Sequence, residues 1–387
     1  MIPEIIFWLS VIAIFHTYLL FPLLLNVLAR GKKENTNIFL PGDDLPFVSI
    51  ILAVYNEEKV IDQKIKSIYN TIYPFNKFEL IIGSDASTDK TNQICKIYSD
   101  NYNSLHFYPF PERKGKASIN NRLVKSAKGD ILIMTDVQTF FETNTIYELV
   151  KHFQNTSIDI VGGNNINEKL NIKGISLQEK AFMTGEIKMK YMEGLIWGKT
   201  MGINGAIYAI RKKAFMIVPE YFMVDDFYIT MRVLQKKRKV ILNLKAIVKE
   251  DVPFDILTEF RRKVRISSGN FQNLISFMNC LVPPWSSLAF IYVSHKVLRW
   301  LSPFFLIFIY TTSIILSYSS VFFMYLLIIQ TILFILPILD LILRKINFHS
   351  VFLRIITHFY AINVALIIGF IKSILGKKSN VWQPTRR

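Results

Sequence analysis

The chain has 387 residues, 51% of them hydrophobic, and a formal net charge of +17. Apolar residues crowd toward both ends in uninterrupted runs, which excludes an ordinary water-soluble globular protein. The excess of Lys and Arg calls for an anionic partner. No nucleic-acid-binding motif accompanies it, so nucleic acid is set aside in favour of lipid headgroups and phosphorylated substrates.

Residues 5–29 contain no Asp, Glu, Lys or Arg, and a bilayer crossing needs roughly 20 apolar residues. Glu4 precedes this run and Arg30, Lys32 and Lys33 follow it, the reverse of a secretory signal with its basic start and small-residue cleavage site. Positive residues stay on the cytoplasmic side, which predicts an outside N-terminus and a cytosolic chain beyond Arg30. Three further spans are predicted at 300–317, 321–343 and 351–375, the last interrupted by Arg354, His358 and Lys372. The predicted organisation is a membrane helix over 1–30, a cytosolic domain over 31–280 with an interfacial helix near its end, and a membrane region with a basic tail over 281–387. Four spans would leave Lys377, Lys378, Arg386 and Arg387 outside, against the positive-inside rule. The tail is therefore read as cytosolic, with Trp382 near the membrane surface. Cys95 and Cys280 stand far apart in no metal-like spacing, which fits a reducing compartment.

Within 31–280, an apolar, β-branched run at 47–55 predicts a buried strand, and a helical pattern begins at Asn56-Glu57-Glu58. A second run at 78–83 ends in Ser84-Asp85-Ala86-Ser87-Thr88-Asp89. A third strand at 104–109 and a helix from about Lys116 lead to the run 131–134, whose carboxyl end delivers Asp136. Strand–helix alternation of this kind indicates a parallel sheet in an α/β domain. Ligands of such sheets sit at the carboxyl edge, where three polar clusters now fall together. The plainer alternatives are that Asp136 caps a turn before Thr139 and that Glu57 and Glu58 favour a helix start. No phosphate-loop lysine motif, glycine-rich dinucleotide fingerprint or Gly-x-Ser-x-Gly elbow occurs.

Taken together, Val48-Ser49-Ile50-Ile51, Tyr55-Asn56-Glu57-Glu58, Ser84 to Asp89, Lys114-Gly115-Lys116 and Thr135-Asp136 resemble the family 2 glycosyltransferases. The resemblance is closest to their membrane-embedded branch of cellulose, hyaluronan and poly-N-acetylglucosamine synthases, and runs from about Phe47 to the C-terminus. It implies a GT-A-type, Rossmann-like parallel-sheet domain flanked by transmembrane helices, and an inverting transfer from a nucleotide sugar, read as a UDP-sugar. Ala53, Tyr55, Glu57 and Asp85 match positions that hold the nucleotide: an aromatic face stacks on the base and carboxylates accept its N–H protons. Lys116 matches the lysine facing the diphosphate. Asp136-Val137-Gln138 matches the Asp-x-Asp motif that coordinates Mg2+ or Mn2+, with Gln138 as a neutral ligand in place of the second aspartate.

Farther along, Asn204, Gly205 and Ala206 match the acceptor-side loop, where small residues let a sugar approach the backbone. Asp225-Asp226 matches the Thr-Glu-Asp position of polysaccharide synthases, which makes Asp226 the base for the acceptor hydroxyl, with Asp225 in part a helix N-cap. Two adjacent carboxylates raise a pKa. Arg262 and Arg265 fall on the Gln-x-x-Arg-Trp motif, where Arg262 replaces the glutamine and Ile266 the tryptophan. They share a helical face suited to a diphosphate; a basic helix lying on anionic lipid is the alternative. Without the tryptophan platform, and with about four spans, addition of one or a few sugars is favoured over processive synthesis. The expected partners are a nucleotide-sugar donor, a glycan or lipid-linked acceptor, membrane lipids and export subunits. The expected location is a bacterial-type cytoplasmic membrane, with the catalytic domain in the cytosol and cell-surface glycan as the product. The alternative functions are transfer to a polyprenyl phosphate, and a non-catalytic export-complex subunit, the latter resting on Gln138 and Ile266.

Overall fold

The computed structural model describes residues 1–167, 176–250, 256–346, 348 and 350–376. The chain divides into two compact units. Among the described residues, one holds 28–167 and 186–250, and the other 1–27, 176–185 and 256–376.

The first unit is built on an eight-stranded sheet: β1 (Val48–Val54), β2 (Phe78–Asp85), β3 (Leu105–Phe110), β4 (Ile131–Thr135), β5 (Thr139–Phe141), β6 (Ile158–Asn167), β7 (Ile207–Arg211) and β8 (Lys239–Glu250). The order is β3-β2-β1-β4-β7-β6-β8-β5. Strands β3, β2, β1 and β4 run parallel. Every residue of β2 and β4 is buried, as strands covered on both faces must be, and the charged side chain of Glu79 accepts from Ser49 Oγ and Lys128 N. Val54 lies beside Ser84 and Leu52 beside Thr135, so the three strands finish level and their polar ends meet. Ala53 pairs with Gly83 one residue before that edge.

The parallel arrangement stops at β4. Strand β7 pairs antiparallel with β4, Thr135 against Ile207. A strand running the other way starts at the edge where its neighbour ends, so the loop before β7 arrives at the carboxyl end of β4. Beyond it, β6 is antiparallel to β7 and parallel to β8, and β5 is antiparallel to β8.

The helix expected from Asn56 begins at Ile61 instead. Asn56 has φ 51°, a left-handed conformation that a helical turn cannot take, and the amides of Asn56, Glu57 and Glu58 donate to Ser87, Thr91 and Asp89 after β2. Helix Ile61–Tyr69 buries Ile61, Lys64, Ile65 and Ile68, an i, i+3, i+4, i+7 stripe that is apolar but for the lysine.

In the second unit, helices Ile2–Leu28, Val321–Lys345 and Val351–Ile374 are long and apolar enough to cross a membrane. The run expected at 300–317 is helix Ser302–Ser317, which meets the preceding helical segment Ser287–Trp300 at a 61° bend. Helix Ile256–Ser276 carries Arg262 and Arg265. The basic tail beyond Gly376 lies outside the described residues. Cys95 and Cys280 are buried free thiols.

Candidate active site

The loops after β1 and β2 are stitched to each other. Asn56 N donates to Ser87 Oγ (3.1 Å), Glu57 N to Thr91 Oγ1 (2.8 Å) and Glu58 N to Asp89 Oδ2 (3.1 Å). In return Thr88 N donates to Asn56 Oδ1 (2.8 Å) and Lys90 N to Glu58 Oε2 (3.0 Å). Asp85, 5% exposed at the end of β2, accepts from Lys114 N at 2.7 Å and Gly115 N at 2.9 Å. Both its oxygens thus shape the turn that launches helix Lys116–Ser126, with Gly115 at φ 86°, a value only glycine adopts freely. The face of Tyr55 is covered by the Arg113 guanidinium, 3.6 Å from the ring centre.

Lys116 Nζ meets Asp136 Oδ1 at 2.6 Å. Burial alone would lower the lysine's pKa, but the carboxylates of Asp136, Asp225 and Asp226 outweigh it and hold the pKa above its ordinary value. Four groups from three separate stretches of sequence therefore share one electrostatic field. Gln138 Nε2 donates to the Glu57 carboxylate at 3.2 and 3.4 Å. That acceptor fixes which way the amide faces and leaves Gln138 Oε1 for another partner.

The described residues bring together no three His, Cys, Asp or Glu side chains able to hold a metal ion. What remains is one carboxylate, Asp136, and one amide oxygen, Gln138. Mg2+ and Mn2+ fit such a set, because they accept one or two protein oxygens and complete their shells with phosphate and water.

Asp225 and Asp226 open helix Asp225–Gln235. Asp225, expected to share in capping, is itself the first helical residue, and Val224 holds the cap position without a side-chain bond. Asp226 Oδ2 accepts from Gly205 N and Oδ1 from Phe227 N, both at 2.7 Å. A β-carbon on Gly205 would sit 2.9 Å from Asp226 Oδ2, so the contact requires glycine. Asn204 Oδ1 accepts from Ala206 N at 3.1 Å, bracing the same loop. Burial and the adjacent Asp225 raise the pKa of Asp226, opposed by Lys116, Lys190 and the Phe227 amide.

Arg262 and Arg265 belong to the other unit. Arg262 donates to Glu259 through Nε and Nη2 at 2.8 and 2.9 Å.

Three residues near this centre escape a sequence reading. Tyr208 on β7 has its pKa raised by burial and by Asp225, Asp226 and Asp136, and Lys190 lies within the field of Asp226. Nothing in their local sequence singles them out. Lys64 did carry a signal, a lysine inside the apolar stripe of helix Ile61–Tyr69.

The mannosyltransferase PcManGT of Pyrobaculum calidifontis, solved in complex with GDP-Man and Mn2+, aligns over 97% of this chain and 99% of its own, with TM-score 0.74 and 19% identity. The fold is accordingly of the GT-A type with flanking apolar helices. Residues 49–217 match the family model Glycosyl transferase family 2. It is 26% identical over 251 residues to the probable glycosyltransferase YdaM of Bacillus subtilis, covering 61% of this chain and 58% of that protein. It is 28% identical over 198 residues to the poly-beta-1,6-N-acetyl-D-glucosamine synthase of Staphylococcus aureus, 50% of this chain and 45% of that one. The chain thus spans about half the length of these curated relatives.

Proposed function

We propose that this protein is an inverting, membrane-bound glycosyltransferase that moves a sugar from a nucleotide sugar, read as UDP-linked, to a glycan or lipid-linked acceptor at the cytosolic membrane face. The observation that carries the reading is the convergence of Lys116, Asp136, Asp225 and Asp226 in one field, with the acceptor-side amide of Gly205 fixed on Asp226. Such an arrangement holds a leaving group on one side and a base on the other. The acceptor oxygen attacks the anomeric carbon opposite the diphosphate and gives its proton to Asp226. The sugar–phosphate bond breaks, its electron pair leaves with the nucleoside diphosphate, and the anomeric configuration inverts.

Each residue then has a definite task. The raised pKa of Asp226 makes it a stronger base than a solvated carboxylate, closer to the range where general base catalysis works best. Lys116 stabilises charge growing on the phosphates from a fixed position. Tyr55, Glu57 and Asp85, with Ala53 beneath, form the base-binding edge. A divalent cation held by Asp136 and Gln138 would neutralise the diphosphate as it departs. Membrane attachment is supported by the three apolar helices long enough to cross. Ile266 in place of a platform tryptophan favours addition of one or a few sugars.

Incubation of the purified full chain in detergent with UDP- and GDP-sugars, with and without Mn2+, tests this. Release of nucleoside diphosphate with formation of an inverted glycoside, identified by mass and NMR, is expected. No release from any donor would leave the non-catalytic subunit standing. A sugar ester of a polyprenyl phosphate as product would move the protein to the lipid-donor class.

A further inference from the structure

Beneath the site, the side chain of Lys64 is wholly buried and makes no contribution to the chemistry described above. Its Nζ lies 2.8 Å from Thr135 Oγ1, 2.5 Å from Thr139 O and 3.3 Å from Thr139 Oγ1, and 4.3 Å from the centre of the Phe141 ring. An ammonium offers three protons and accepts none, and three acceptors surround it. We propose that Lys64 is a positioning residue, which sets the proton direction of two threonine hydroxyls and thereby locks the Asp136 turn to the acceptor loop. Its consequence for turnover rests on the glycosyl-transfer reading; the lock itself does not.

The reasoning is an account of hydroxyl protons. Each hydroxyl has one to give. Because Thr139 Oγ1 and Thr135 Oγ1 both accept from Lys64, their own protons point away from it. Thr139 Oγ1 then donates to Asp136 O at 2.8 Å, and Thr135 Oγ1 to Ala206 O at 3.0 Å. The same Ala206 carbonyl accepts from Asp136 N at 3.2 Å, and the neighbouring Gly205 amide is the one on Asp226. One buried amine therefore aligns the carboxylate assigned to the leaving group with the loop that carries the base. A competing arrangement is close at hand, since the two hydroxyl oxygens are 3.1 Å apart. Without a donor beneath them they can bond to each other, releasing Asp136 O or Ala206 O. A lysine kept merely to fill space would be replaced by methionine without consequence; a lock would not.

Full-length wild type, Lys64→Met, Lys64→Gln and Thr139→Val should be compared by amide hydrogen exchange and by Mn2+-dependent turnover. In Lys64→Met, exchange should quicken at the amides of Asp136, Thr139 and Gly205 while β1 and β2 stay as in wild type. Turnover should fall about tenfold or more, with a higher half-saturating Mn2+ concentration. Lys64→Gln, which retains amide protons to donate, should recover part of both. The double variant Lys64→Met/Thr139→Val should lose little beyond either single change, because the residues act as one unit. Wild-type exchange in Lys64→Met, uniform loosening of the whole domain, or additive losses would overturn the lock. Should Lys64→Met fail to fold, Thr139→Val alone decides, since it must open the same amides and no others. A wild-type protein that releases no nucleoside diphosphate would sink the glycosyl-transfer reading, while the exchange pattern would still decide the lock.

Discussion

The two halves of the sheet use their carboxylates differently. On the parallel side, Glu58, Asp85 and Asp89 accept backbone amides from neighbouring loops, which fixes loop shape. On the antiparallel side, Asp226 also accepts two amides, yet it stands beside Asp225 and its pKa is pushed up. A carboxylate surrounded by donors is at rest as an anion. One set beside a like charge gains by taking a proton, which is what a base does. Acidic residues at a sheet edge therefore indicate a site, and the neighbours of each one indicate its task.

The strongest way to break this contrast is to neutralise the reactive carboxylate alone. Asp226→Asn should cut transfer by at least about a hundredfold, the lower range for general base catalysis, with nucleotide affinity nearly intact by calorimetry. A carboxylate whose folded pKa is raised contributes stability below its unfolded pKa and loses it as pH rises through the folded one. At neutral pH the same variant should therefore unfold at an unchanged or higher temperature. Near-normal turnover would pass the role to Asp225.

Asp136→Ala comes next, and should lose both turnover and the metal-dependent part of nucleoside diphosphate binding. Full wild-type activity in excess chelator would instead leave Lys116 to carry the charge.

Gly205→Ala sharpens the comparison, because its β-carbon would press on Asp226 Oδ2 without altering any charge. A fall in kcat of about tenfold, or roughly 1.4 kcal/mol of barrier, is expected with donor KM unchanged. A smaller effect should follow from Gln138→Ala, which removes the amide donor from the Glu57 carboxylate. Donor KM should rise a few-fold, and a Gln138→Ala protein with wild-type KM would remove Glu57 from the base-binding edge.

The smallest effect separates chemistry from folding in acid. His152 is buried, and burial first, then the neighbouring Lys151, lowers its pKa from 6.5 to about 4. The unfolded chain takes up the proton sooner, so this group costs stability as pH falls from about 6.5 toward 4. His152→Gln should flatten the acid limb of thermal stability and leave the acid limb of kcat/KM where Asp226 puts it.

The parallel half was legible because β1, β2 and β4 are runs that are apolar but for Ser49 and Glu79 and stop at polar clusters, and a strand covered on both faces must look like that. The rest of the sheet was not read as strands in detail. In β8, buried and partly exposed positions alternate irregularly, and β5 is three residues long. The base pair Asp225-Asp226 and the 204–206 loop came from resemblance, and nothing in the periodicity would have found them. Two assignments needed coordinates. Asp85 reads as a ligand-binding carboxylate in sequence, and the coordinates add that both its oxygens accept from the Lys114-Gly115 backbone. Gln138 reads as a weakened metal ligand, and its amide nitrogen turns out to face Glu57, a partner 81 residues away along the chain.

The bend between Trp300 and Ser302 bears on the lipid as well as on the protein. Helix Ser302–Ser317 has 16 residues, about 24 Å at 1.5 Å per residue, against a hydrocarbon core of about 30 Å. At its bent end Ser302, fully buried, donates to Asn363 Oδ1 at 2.7 Å, which holds that terminus to helix Val351–Ile374. A helix fixed at one end and shorter than its surroundings cannot tilt to correct the difference, because tilting shortens it further. Crossing alone, it would oblige the bilayer to thin around it at a cost of fractions of a kcal/mol per Å, whereas counted together with Ser287–Trp300 it is one half of a broken span. In the first case transfer in reconstituted vesicles should peak with shorter acyl chains and decline as the chains lengthen.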